Sequence, residues 1–460
     1  MLSQHIPTTI APAEQALFYQ AKTTGTMWDT WLYWHEGTHY LFHLVGPGGQ
    51  WYGIAMATSR DGVHWREHGL VIEKAAEATW LGTGTVWAAA PMGGKPRFLM
   101  NFSEWKGAGQ TIFFAESEDL LSWRRLDRST EFLPDGRWYK TSGGNDGRWD
   151  CISTIPRPGG GRYGFWTANP HHVVGFGFGE SDDGLTWRAL PPPRIDWGRV
   201  PAMTSIESGA VAEIHGRFFT MLGSPGQYLS HICGMFTCVA DKPEGPYTPA
   251  ATNYALLTSS GNRCHTYFAR FYPCADGLLV NHHAVSCTGD VFFAPLKATE
   301  MDAQQVLRLT WWPGNAVALE RWTHQALDPS ITPDSPSQLE FPPELGFYLE
   351  GRLDPQTTPD TSAALVYISC TEGHGGVRFN MHPSGVVEIA VIFADGRLEP
   401  LERIDRTLPG PAIMRFRLLI LHGFVELYLN DYLIQVHSLH AAAAGRIAIH
   451  GLRPTQCLSG

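Results

Sequence analysis

The sequence predicts an all-β protein: a five-bladed β-propeller followed by a C-terminal β-sandwich. The leading observation is a unit of strand-like runs that closes on an Asp-x-x-x-Trp sequence and recurs about every sixty residues. The second is composition: 49 Gly, 32 Pro and 17 Trp with only 17% charged residues. That mixture suits many tight turns between strands, with large rings filling the layers. The third is the end of the chain, roughly 115 residues of short apolar runs without a helical period.

The first unit opens on Met27-Trp28-Asp29-Thr30-Trp31-Leu32-Tyr33-Trp34, a strand-like run with one acid near its start. An Asp in so apolar a run is costly unless it is paired or lines a cavity. Glu36-Gly37 supplies a turn into a second run, Thr38 to His43. After a third run, Gly53 to Thr58, the unit closes on Asp61-Gly62-Val63-His64-Trp65. Asp119-Leu120-Leu121-Ser122-Trp123 and Asp183-Gly184-Leu185-Thr186-Trp187 close the second and third units, and Glu244-Gly245-Pro246-Tyr247 echoes them in the fourth. The closing rings at 65, 123, 187 and 247 are 58, 64 and 60 residues apart. Each closing sequence reads as a turn into an outer strand whose ring packs against the neighbouring unit.

The unit starts keep the same beat: Asp29, then Gly82-Thr83-Gly84-Thr85-Val86-Trp87, Trp149-Asp150-Cys151-Ile152 and Ile206-Glu207-Ser208-Gly209. Cys264-His265-Thr266-Tyr267 opens a fifth, which ends near Trp311-Trp312. Repeats of about this length with four short strands each are the mark of propeller blades. The expected division is a propeller over 1–315, a Pro-rich linker over 316–344 and a β-sandwich over 345–460. Within that last domain Val425 to Leu429 alternates apolar and polar residues before a turn at Asn430-Asp431.

A net charge of −10 argues against nucleic acid as a partner, because phosphate binding needs a basic face. No apolar run approaches membrane-spanning length, so no membrane partner is expected. The first twenty residues lack a basic segment followed by an apolar one, which points to the cytoplasm; secretion with a removed signal is the alternative. The eight cysteines read as free thiols, with Cys233–Cys238 or Cys264–Cys274 as the alternative bridges. His171-His172 and His282-His283 lack ligand spacing with a carboxylate, so no metal and no cofactor is expected. Oligomeric state is left open, a homo-oligomer included.

In a propeller the first strand of every blade lines the central channel, so residues at those starts converge at one mouth. Three carboxylates stand there: Asp29, Asp150 and Glu207. A single acid at a strand start is ordinarily a turn or capping residue. Three at matching places in three units point to a shared site. Two carboxylates flanking a bond are the minimal equipment for glycosidic cleavage, and a third can adjust the acid and hold a hydroxyl. Sugars stack on aromatic faces, and Trp28, Trp31, Trp87, Trp105 and Trp149 stand nearby, with Arg148 and His265 as polar candidates.

These residues resemble glycoside hydrolase family 32, the invertases and fructan hydrolases. Met27-Trp28-Asp29 followed by Gly37-Thr38-His39-Tyr40-Leu41-Phe42-His43 is similar to the family's Trp-Met-Asn-Asp-Pro-Asn-Gly motif and the strand after it. Gly53 to Trp65 resembles Gly-His-Ala-x-Ser-x-Asp-Leu-x-His-Trp, and Arg148-Trp149-Asp150-Cys151 resembles Arg-Asp-Pro. Ile206-Glu207-Ser208-Gly209 matches Glu-Cys-Pro at the Glu alone, and Val425 to Asp431 is similar to Val-Glu-Val-Phe-Val-Asn-Asp. The resemblance implies a propeller followed by a sandwich and a metal-free retaining glycosidase on a carbohydrate substrate. Asp29 would be nucleophile, Asp150 transition-state stabiliser and Glu207 acid/base. A terminal β-fructofuranoside is the first expected substrate, with hydrolysis or fructosyl transfer as outcomes. The flanking Asn and Pro-Asn-Gly are absent, and Trp149 is inserted between Arg148 and Asp150, so the sugar ring is what these departures affect. The alternatives are an α-L-arabinofuranosidase or other pentosidase of the family 43 type, and a non-catalytic carbohydrate-binding propeller.

Overall fold

The computed structural model describes residues 17–107, 109–141, 147–203, 206–223, 232–261, 266–327, 337–353, 364–371, 373–382, 384–408 and 414–460. The chain is built almost wholly of antiparallel strands. Three successive sheets are four-stranded meanders in chain order. The first runs Trp28–His35, Thr38–Val45, Gly53–Ser59, Arg66–Glu73; the second Thr85–Ala88, Phe98–Lys106, Gly109–Ser117, Arg124–Arg125. The third runs Trp149–Pro156, Arg162–Ala168, Gly177–Ser181, Arg188–Leu190. The fourth and fifth units start at Glu207–Ile214 and Thr266–Cys274 and belong to a larger sheet that continues into the C-terminal region.

The closing sequences form one repeated turn. Asp61 Oδ1 accepts the backbone N–H groups of Val63 and His64, Asp119 Oδ1 those of Leu121 and Ser122, and Asp183 Oδ1 those of Leu185 and Thr186. A Ser two residues earlier donates to each Asp: Ser59, Ser117 and Ser181. Behind this turn the closing ring packs on the preceding unit. Trp123 meets Phe42 edge-on at 5.9 Å, Trp187 meets Trp87 at 6.0 Å, and Tyr247 meets Phe176 at 5.5 Å. Trp65 completes the series by packing on Phe293 of the fifth unit at 5.4 Å. The first strands of the five units also touch in a cycle: first with second, second with third, third with fourth, fourth with fifth and fifth with first. Tyr19, ahead of the first unit, exchanges both backbone hydrogen bonds with Phe293.

Toward the C-terminus, a pair of antiparallel sheets shares one apolar core that includes Leu349, Phe379, Phe416 and Ile447. One has six strands in the order Ser337–Glu340, Ala443–His450, Ala364–Cys370, Gly376–Met381, Val386–Ile392, Leu398–Asp405. Residues 337–340, inside the segment expected as a linker, therefore form an edge strand of this sheet. The two halves of the chain are joined by backbone: Leu257–Gly261 pairs in parallel with Tyr432–Ser438. Cys238 and Cys274 are free thiols.

Candidate active site

The acids sit at the starts of the first strands, each beside a bulge. In the first unit Trp28 pairs with Leu44 and Trp31 with Phe42, so Asp29 and Thr30 face a single partner residue. The same irregularity falls between Asp150 and Ser153, between Ser208 and Ala210, and between Tyr267 and Arg270. Bulges bend a strand and re-aim its side chains. Asp29 and Cys151 hold the left-handed backbone such a bend requires, with φ of 41° and 47°. Counted from the bulge, Glu207 lies one residue outside the last regular pair, Asp150 lies in it, and Asp29 lies one residue inside. The expectation of three matching positions is thus refined. The acids are staggered by one residue each, a step of ~3.3 Å along a strand.

Arg148 ties two of them together. Its Nη1 donates to Glu207 Oε1 at 2.7 Å and its Nη2 to Asp150 Oδ2 at 3.3 Å. Ser103 donates to the other Asp150 oxygen at 2.5 Å, and Gln110 donates to Ser103 at 2.7 Å while its own carbonyl accepts from Arg148 Nε at 3.2 Å. Gly82 is required here: a Cβ on it would lie 2.1 Å from Ser103 Oγ and 2.6 Å from Asp150 Oδ1. Burial, then the charge of Glu207, push the Asp29 carboxyl well above the ordinary carboxylate range, and Asp150 adds to the effect. Arg270 and Arg148 oppose it. Asp150 is also raised by burial, against the pull of Arg148 and the Ser103 hydrogen bond. Asp29 Oδ1 lies 3.8 Å from Nδ1 of His283, an imidazole that burial holds neutral by pushing its pKa down to about 3. Burial and neighbouring acids hold back the ionisation of Asp29 and Asp150, and a portion of each of the three side chains is open to solvent, so the cluster can divide the roles of nucleophile and proton carrier.

The rings expected to face a sugar divide into two groups. Trp149 is fully buried against Phe132, Tyr139 and Trp166; Trp87 packs on Phe114 and Trp187; Trp31 stacks on Phe42. These three are core side chains filling the layers between units, which corrects the expectation that they stack on a sugar. Trp28 remains beside Asp29, half-buried, stacked on Trp51 at 5.7 Å and 4.3 Å from the His283 ring. Trp105 is buried under the exposed Trp80. His265 lies outside the described residues. Sequence reasoning missed Ser103, Gln110, His283 and Arg270. The available signal was a polar side chain inside an otherwise apolar strand, as in Phe98–Lys106.

No protein-family model and no curated protein matches the sequence. Solved structures do match its fold. The chain is similar to a β-fructofuranosidase from Schwanniomyces occidentalis complexed with fructosyl-erythritol (TM-score 0.69, 12% identity, 97% of each chain). It is similar to a GH32 β-fructofuranosidase from Bombyx mori in complex with sucrose (TM-score 0.70, 9% identity, 97% of this chain and 92% of that one). A fructan 1-exohydrolase from Cichorium intybus matches at TM-score 0.66 and 12% identity over 96% of each chain. At these identities the likeness is one of fold: along nearly its whole length the chain has the architecture of glycoside hydrolase family 32 structures.

Proposed function

We propose that the chain is a glycoside hydrolase that removes a terminal furanosyl residue, a β-fructofuranoside foremost, by a retaining mechanism. On this reading residues 1–315 form a five-bladed β-propeller around the site, 316–344 lead out of it, and 345–460 form a β-sandwich. The cycle of touching first strands and the closing rings passed from unit to unit support the propeller; two sheets over one core support the sandwich.

Asp29 attacks the anomeric carbon while Glu207 gives its proton to the leaving oxygen. Glu207 then takes a proton from the water that releases the sugar. Asp150, held by Ser103 and Arg148, binds hydroxyls of the reacting ring and steadies its developing charge. The observation that carries the proposal is the single guanidinium joining Glu207 to Asp150, with Asp29 in the field of both, from three separate units. The test is a panel of aryl furanosides and pyranosides, α-L-arabinofuranosides included, with wild type, Asp29→Asn and Glu207→Gln. Aglycone release from the fructofuranoside should fall ~10³-fold or more in Asp29→Asn. Glu207→Gln should slow substrates with poor leaving groups far more than activated ones, because only the former need protonation. Equal slowing of both classes would remove Glu207 from the acid role, and turnover unchanged in Asp29→Asn would end the proposal.

A further inference from the structure

The backbone that carries Glu207 is held from the third unit. Both backbone groups of Ser208, the residue after Glu207, are taken by side chains that flank Asp150. Ser208 N–H donates to Thr167 Oγ1 at 2.9 Å, and Ser208 O accepts from Cys151 Sγ at 3.3 Å. Thr167 is the cross-strand partner of Asp150, and Cys151 follows Asp150 in the chain. Thr167, Cys151 and Ser208 are all buried. Ser208 borders the bulge in the first strand of the fourth unit, where the ladder is interrupted and fixes the strand's course least. Buried backbone groups must find partners, and here two side chains of the neighbouring unit supply them. Cys151 holds its place at a backbone cost, because its φ of 47° is one that residues with a side chain rarely adopt. Such strain persists where the surroundings over-determine it, and it gathers at functional sites. Burial pushes the Cys151 thiol up to about 12, so the sulfur stays an S–H donor wherever carboxylates do acid–base work. The charges that act on it are those of Arg270, Asp150, Asp29 and Arg148, which places the thiol beneath the carboxylate cluster.

We propose that Cys151 and Thr167 are positioning residues for Glu207, which fix where the proton carrier stands relative to the leaving oxygen. The inference rests on the hydrolase reading and deepens it. Arg148 joins Glu207 to Asp150 through their side chains, and Cys151 and Thr167 join the same two residues through the backbone. A displaced proton donor is felt most where the leaving group needs the proton.

The test gives the full chain two fructofuranosides, one with an activated aryl leaving group and one with an alkyl leaving group. Wild type is compared with Cys151→Ala, Thr167→Val and Thr167→Ser. In Cys151→Ala and Thr167→Val, kcat on the alkyl substrate should fall about tenfold, with KM within ~twofold and the aryl substrate slowed less than ~threefold. Thr167→Ser keeps the hydroxyl and should recover most of the loss. Equal slowing of both substrates overturns the inference, because a packing fault does not choose between leaving groups. A loss that Thr167→Ser shares with Thr167→Val overturns it as well. Should Cys151→Ala fail to fold, the two Thr167 variants decide. A readout without any glycoside comes from the thiol itself. The infrared difference between wild type and Cys151→Ser isolates its S–H stretch, expected at lower frequency than that of an unbonded alkanethiol; a stretch at the unbonded frequency overturns the inference. A chain with the displaced band that cleaves neither substrate loses the hydrolase reading, and with it the role of these residues, but keeps the hydrogen bond. An active chain whose variants slow both substrates alike loses this inference alone.

Discussion

At the scale of single residues the site is a conflict of charges held in place. Asp29 is raised by burial and by Glu207 and Asp150, so its ionised form is disfavoured in the folded chain relative to the unfolded one. The contribution of such a group to stability is full at low pH, below its unfolded pKa, and is lost as pH rises through its folded one. Activity that needs ionised Asp29 runs the other way and should climb with pH through that raised value. Asp29→Asn, which mimics the protonated form, should therefore abolish turnover while raising Tm at neutral pH by ~2 °C or more. Thermal melts at pH 4 and pH 8 check this. The gain should be larger at pH 8, and a variant less stable than wild type at both would contradict the electrostatic account.

At the scale of elements, the strand starts do the positioning, and this is where sequence and structure diverge. The beat of Asp-x-x-x-Trp was legible because each Asp makes the same turn and each ring fills the same gap between units. Asp29, Asp150 and Glu207 were legible because each stands in the first residues of a unit's first strand. Their stagger was not, since a bulge inserts a residue and redirects side chains with no compositional mark. Nor did sequence separate Trp28, which stays half-buried beside Asp29, from Trp149, which is buried; a Trp in an apolar strand looks the same on either face. Ser103, Gln110 and His283 come from second and third strands, whose register with the first is set by pairing across the sheet. Gly82 gives a test at this scale. A methyl there must displace Ser103 or Asp150, so Gly82→Ala should cost ~1–3 kcal/mol of stability through overpacking. It should also lower kcat/KM roughly tenfold or more through a misplaced Asp150. Urea melts and kinetics on one preparation would show both effects, and unaltered kinetics would detach Asp150 from the reaction.

At the scale of the whole molecule, the C-terminal sheets are bolted to the site-bearing units by buried polar groups. Lys297 and Glu426, both fully buried, meet at 2.6 Å, and Pro295 O, His282 and Tyr428 satisfy their remaining valences. Removing one partner leaves the other charge buried alone, so Glu426→Gln should cost about 3–5 kcal/mol in urea unfolding, and the double replacement Lys297→Met with Glu426→Leu much less. The junction between these parts of the chain also carries a titrating group. Glu402 accepts from Gln435 Nε2 at 2.7 Å, beside Arg406, which reaches across to Asn253, Thr258 and the carbonyl of Ile434. Burial pushes the Glu402 carboxyl up to about 7, although Arg406, Ser260 and Gln435 all favour its charged form. Because the folded value is the higher one, the stability it contributes is present below the unfolded pKa, near 4.5, and is lost as pH rises through about 7. Replacing Glu402 by Gln removes that titration and keeps a group able to hydrogen-bond. The urea midpoint of wild type should fall between pH 5 and pH 8 by more than that of Glu402→Gln, and the difference should centre near neutrality. Identical pH dependence in the two proteins would show that the junction accommodates the charge, leaving the carboxylates of the site as the source of any loss toward alkaline pH.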